Sequence, residues 1–218
     1  SPLSSPISGT TAATSGVTFP NYVFAPYTDM LLWPTPSLTG IATQTGSQFF
    51  SLGFIVARTA SECTASWGTY YTMSQNFLLN DITNLRTQGG DIIPSFGGAA
   101  NSELALVCST VSTLQAQYRR VTDTYKAARL DFDIEGGALG NATANDRRAK
   151  AIAALQAAAS LSGKTLKIQF TLPVLPSGLT TYGLALLQNA IQNRVDISTV
   201  NIMAMDYGSG YDPNMMGQ

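Results

Sequence analysis

Six short runs rich in apolar and β-branched residues, four of them followed by longer helical stretches, limit this chain to few folds. Strands are predicted at 22–25, 49–56, 91–96, 130–134, 166–172 and 200–205, and helices at 73–87, 102–118, 142–161 and 180–193. The third helix is the best marked, with Asn141 as a cap, a run of Ala and Leu, and Gly163 just past its end. A helix between consecutive strands implies right-handed crossovers, so strands two to six lie side by side in a parallel sheet. Two α/β architectures satisfy this, an open doubly wound sheet and a TIM (β/α)8 barrel of which the chain carries about strands 1 to 6. No Gly-x-Gly-x-x-Gly turn follows the first strand and no Gly-x-x-x-x-Gly-Lys loop occurs, so nucleotide-binding forms of the open sheet lose their usual support. The barrel is favoured.

The fourth strand carries the chemistry. In Leu130-Asp131-Phe132-Asp133-Ile134-Glu135-Gly136, side chains alternate faces with period two, sending Leu130, Phe132 and Ile134 one way and the three acids the other. In a barrel the acids line the interior and end at the C-terminal mouth, where active sites of this fold sit. Three carboxylates in a row repel one another, which costs stability unless protons are shared or cations bound. Burial and repulsion raise at least one pKa toward neutrality, giving a protonated acid beside an ionised neighbour, the pairing glycoside hydrolysis uses. Glu135, nearest the mouth and with the longest reach, is the candidate acid/base. Asp-x-Asp-x-Glu also offers hard oxygen ligands to magnesium or calcium, but no phosphate-cradling loop accompanies it.

Composition narrows the chemistry further. Histidine is absent, which removes Ser-His-Asp and Cys-His nucleophiles and every His-containing zinc site. With 12 Lys+Arg against 13 Asp+Glu, and only 11% of residues charged, the sequence offers neither a basic nucleic-acid surface nor an acidic tail. No run approaches the roughly 20 apolar residues of a membrane span. Residues 1–16 are rich in Ser, Thr and Pro and read as a linker or leader; residues 17–218 read as one catalytic domain, incomplete at its C-terminal end. Cys63 and Cys108 fit one disulfide in an oxidising compartment or two buried thiols equally well.

Taken together, the motifs resemble glycoside hydrolase family 18, the chitinase family. Members carry Ser-x-Gly-Gly at the end of the third barrel strand, matched by Ser95-Phe96-Gly97-Gly98, and an Asp-x-Asp-x-Glu on the fourth, matched by Asp131, Asp133 and Glu135. Met-x-Tyr at the end of the sixth is matched by Met205-Asp206-Tyr207. Tyr22 to Tyr27 and the segment from Thr171 to Pro176 are similar to bacterial-type chitinases in particular. The resemblance implies hydrolysis of β-1,4-linked N-acetylglucosamine polymers by a retaining mechanism in which the substrate's own acetamido oxygen is the nucleophile. By the same resemblance, Glu135 is the acid/base, Asp133 orients the acetamido group, Asp131 holds or shares a proton with Asp133, and Tyr207 bonds the acetamido oxygen. No cofactor and no metal are implied. An endo-β-N-acetylglucosaminidase acting on N-glycans and a non-catalytic chitin-binding protein are the alternatives.

Further candidates for contact with sugar are Tyr27 and Trp33 after the first strand, Ser95 and Gln169 facing inward, and Met205 and Asp206 at the mouth. Trp67, Tyr70 and Tyr71 read as a long loop after strand two, forming cleft wall or satellite core. Gly97 and Gly98 fit close backbone packing better than substrate contact. The expected setting is a secreted, extracellular monomer whose partner is chitin or its oligosaccharides, with no nucleic acid and no membrane.

Overall fold

The computed structural model describes residues 17–207; the stretch read as a linker, 1–16, and residues 208–218 lie outside them. Strands β1 (Tyr27–Asp29), β2 (Phe49–Thr59), β3 (Glu62–Trp67), β4 (Tyr71–Thr72), β5 (Asp91–Gly97), β6 (Arg129–Asp133), β7 (Lys167–Leu175), β8 (Gly178–Leu179) and β9 (Ile197–Met203) follow in chain order. Helices α1 (Leu38–Thr45), α2 (Leu79–Thr87), α3 (Leu104–Val107), α4 (Val111–Tyr125), α5 (Gly136–Leu139), α6 (Ala142–Leu161) and α7 (Thr181–Gln192) lie between them. Parallel pairing runs β1-β2-β5-β6-β7-β9. These six strands, with helices on their outer side, are part of a TIM barrel, and β1 and β9 form its two ends among the described residues.

The outer face of the sheet and the helices make the core. Leu130, Phe132 and Ile134 are fully buried on that face. Phe132 stacks on Phe96 at 5.2 Å between centroids, and Tyr118 of α4 meets both rings edge-on. Helix α6 starts where Asn141 accepts the Ala144 N–H at 2.9 Å, and it turns Ala144, Arg148, Ala151, Ile152 and Leu155 inward at helical spacing.

Several expected elements differ. The first strand is β1, beginning five residues later than predicted; residues 22–25 form no strand, the Ala25 carbonyl accepts from the Ser51 hydroxyl of β2, and Tyr22 and Phe24 stay exposed. The helix expected at 102–118 is two helices, because Cys108 is extended and Thr110 caps a fresh start by accepting from Thr113 N–H. The helix expected at 73–87 begins only at Leu79, after Asn76 and Leu78 adopt left-handed conformations. The presumed loop after strand two is an antiparallel hairpin, β3 with β4, extending the sheet from the end of β2. Trp67 belongs to its core side, fully buried with its indole N–H donating to Tyr125 at 2.8 Å, so it is no cleft wall.

Cys63 of β3 and Cys108 after α3 are joined by a disulfide across a sequence separation of 45. It ties the hairpin to the segment that follows the Ser-x-Gly-Gly strand. The paired replacement Cys63→Ala, Cys108→Ala should lower unfolding stability by about 2–4 kcal/mol, since a cross-link of this span constrains the unfolded chain. Urea unfolding checks this, and an unchanged midpoint would show that the link adds nothing.

Candidate active site

Strand β6 sends its acids into the barrel. Asp131 is fully buried, and its carboxyl is surrounded by hydroxyls from three other strands, two adjacent and one across the barrel. Ser95 of β5 donates to Oδ2 at 2.6 Å, Tyr27 of β1 donates to the same oxygen at 2.5 Å, and Thr171 of β7 donates to Oδ1 at 2.8 Å. Asn201 of β9 donates in turn to the Thr171 hydroxyl at 3.3 Å. The cross-strand register explains the convergence, because Ser95, Asp131, Gln169 and Thr199 are aligned across four strands, with Asp133, Thr171 and Asn201 one pleat higher. Gln169 also bonds Asp131. None of the ion pairs among the described residues includes Asp131, Asp133 or Glu135.

Without a cation, burial governs the titration of the whole line. Burial raises the Asp131 carboxyl, opposed by its Ser95, Tyr27, Thr171 and Gln169 donors. Asp133 is pushed up to about 8, first by burial, then by the charges of Glu135 and Asp131 and by its bond with Glu135. Its Oδ1 has no hydrogen-bond partner among the described residues. At neutral pH Asp133 is therefore the protonated member and donates to Glu135. Glu135 is half-buried; burial raises its pKa, the Asp133 bond lowers it and the Asp206 charge raises it again. Burial and the adjoining Asp131 charge push Tyr27 far up, so it remains a neutral donor. The result is a hydroxyl-held carboxyl at the base, a proton-bearing carboxyl above it, and an accessible acid at the mouth.

The glycine pair sets the height of the second acid. Gly97 has φ +98°, and a Cβ there would lie 2.0 Å from the Asp133 carbonyl oxygen. Gly98 N–H donates to that same oxygen at 3.0 Å. Close backbone packing is the function of both residues. Gly97→Ala should destabilise the protein by more than about 2 kcal/mol, since it adds a left-handed alanine to a backbone clash. Chemical denaturation measures this, and a neutral effect would show that the approach to Asp133 is not required.

The remaining predicted residues divide. Tyr27 sits on β1 rather than in a loop after the first strand, and its hydroxyl points at Asp131. Asp206 is exposed and close enough to Glu135 for its charge to act. Trp33 is 94% exposed and Met205 is 54% exposed, both in segments beyond strand ends. Tyr207 lines a pocket of about 290 Å³ with Val174, Leu179 and Ile202 beside the β7-β8 turn. Thr171 and Asn201 were not singled out in the sequence; placing them needs the register of β7 and β9, which a one-residue slip reverses. Among the described residues no group of three or more Cys, Asp or Glu is arranged to hold a metal ion, and no helix is long and apolar enough to cross a membrane.

No family model matches the chain. Over 191 residues, 88% of its length, it is 38% identical to the probable bifunctional chitinase/lysozyme of Escherichia coli and 37% identical to endochitinase 11 of Metarhizium anisopliae. The match spans 21% and 36% of those proteins, so the chain corresponds to a fraction of each. The catalytic domain of a hyperthermophilic chitinase from Pyrococcus furiosus superposes with TM-score 0.76 at 33% identity, covering 91% of this chain and 61% of that one. A family 18 chitinase from Chromobacterium violaceum, at 18% identity and TM-score 0.62, shares the fold. With the three motifs placed on the corresponding barrel strands and relatives of this similarity, the chain belongs to glycoside hydrolase family 18, the chitinase family.

Proposed function

We propose that this chain carries the acid machinery of a secreted chitinase that hydrolyses β-1,4-linked N-acetylglucosamine polymers with retention of configuration. The observation that carries the reading is the line of acids on one strand, Asp133 beside the half-buried Glu135 and above an Asp131 held by hydroxyl donors from other strands. Burial raises the Glu135 carboxyl, which favours its holding a proton and giving it to the glycosidic oxygen. As the bond from the anomeric carbon to that oxygen breaks, the substrate's acetamido oxygen bonds to the anomeric carbon, forming an oxazolinium. Asp133 orients the acetamido group, and Tyr207 is the proposed donor to the acetamido oxygen. Glu135, now ionised, takes a proton from water as the water opens the ring, and two displacements leave the configuration unchanged.

Support for the substrate comes from the relatives, among them a Pyrococcus furiosus chitinase domain described in complex with chito-oligosaccharides, 32% identical to this chain. Exposed Trp33 is the proposed stacking surface for sugar, with Met205 and Asp206 as further contacts near the mouth. The Cys63–Cys108 disulfide supports an oxidising, extracellular setting. Monomeric action without cofactor, nucleic acid or membrane completes the proposal.

The test is chromophore release from a chitobiose or chitotriose glycoside by the protein at its natural length. Glu135→Gln should lower kcat by roughly 10²- to 10⁴-fold, the usual contribution of a general acid, with KM little changed. EDTA should have no effect. Full turnover in that variant, or activity that disappears with EDTA, would contradict the mechanism.

A further inference from the structure

We infer that Arg148, Glu103 and Asn145 are positioning residues that hold the Asp133 to Glu135 segment from behind. Arg148 and Glu103 form an ion pair at 2.8 Å with side chains only 1% and 5% exposed. Two bonds join them, from Nη2 at 2.8 Å and from Nε at 3.4 Å, while Nη1 of the same guanidinium donates to Asn145 Oδ1 at 2.6 Å. Asn145 Nδ2 in turn donates to the Leu139 carbonyl at 2.9 Å.

The two ends of this chain of bonds meet at the acids. Glu103 closes the segment that begins with Gly97 and Gly98, and its Cγ stands 3.7 Å from where a Gly97 Cβ would be. Gly98 N–H bonds the Asp133 carbonyl at 3.0 Å. At the other end, the N–H groups of Ala138 and Leu139 donate to the Glu135 carbonyl at 3.1 and 3.3 Å. Backbone bonds thus hold the chain on both sides of Ile134, and the buried side-chain network links the two segments that make them, across two successive βα units. Arg147 adds a second tie from α6, donating to the Ala105 carbonyl at 2.6 Å.

A buried ion pair is a poor source of stability, because desolvation offsets much of its attraction and apolar replacements often fold as well. What a guanidinium fork adds is a fixed geometry between two acceptors. Holding a reacting carboxyl in place is where such a geometry has value, since small displacements are costly to turnover. Its kinetic readout rests on the chitinase reading above.

The test replaces the pair by apolar residues of similar size, Glu103→Leu with Arg148→Met, in the natural-length protein. Thermal stability should stay close to the original, while kcat on a chitobiose glycoside falls by about tenfold or more and KM changes by less than about twofold. Amide exchange at 97–103 and 136–141 should quicken. Arg148→Lys, which keeps the charge beside Glu103 but cannot also reach Asn145, should shift kcat and exchange in the same direction and serves if the double variant does not fold. Unchanged kcat and unchanged exchange in a folded variant would overturn the inference. Should the unmodified protein not turn over the glycoside, the chitinase reading fails, and the exchange rates alone decide the positioning role.

Discussion

The buried carboxylate of Asp131 is the group to which the site is tied. Transferring a lone carboxylate into a barrel interior costs several kcal/mol, and among the described residues no ion pair offsets it. Three hydroxyls do so instead, from Tyr27, Ser95 and Thr171 on three different strands. Hydrogen bonds to charged groups contribute about 1.5–3 kcal/mol each, so the three offset part of the burial that raises this carboxyl. The constraint acts in both directions. Because the donors come from β1, β5 and β7, the strands must keep one register for the charge to be tolerated, and the charge in turn favours that register.

From this anchor the other acids take their properties by position. One pleat above, Asp133 is buried and meets an acid on either side along its strand, so it keeps a proton to about pH 8. That proton is shared with Glu135, whose own environment opens toward solvent. The same carboxyl group thus yields an anchored base, a shared proton and an accessible acid, distinguished by depth, by donors and by neighbouring charge. The bare backbone at Gly97 lets β5 approach β6 closely enough to fix Asp133, and the network through Glu103, Arg148 and Asn145 closes behind it.

Much of this was legible in the sequence, for identifiable reasons. The alternation from Leu130 to Glu135 has only one face compatible with a core, so the direction of the acids follows from period two. Strands β5, β6 and β7 were located to within a few residues because Gly or short polar turns bound them. Helix α1 and the β3-β4 hairpin were missed. The helix contains Gly40 and several β-branched residues, which mask its period, and neither the β2-β3 turn at Ala60 and Ser61 nor the β3-β4 turn at Gly68 to Tyr70 carries an Asn-Gly or Asp-Gly signal. Thr171 opens a segment noted only for its resemblance and Asn201 carries no motif, and their role exists only once β7 and β9 are set in register beside β6.

The most direct test of this division of roles is the titration of the Asp133 carboxyl carbon by NMR with labelled aspartate, assigned with an Asp133→Asn variant. A midpoint near pH 8 is predicted, far above an ordinary aspartate, together with unfolding stability that is greatest at acid pH and declines as pH rises through that midpoint. An Asp133 that titrates like an exposed aspartate, with stability unaffected across that range, would contradict the shared-proton arrangement on which the proposed chemistry rests.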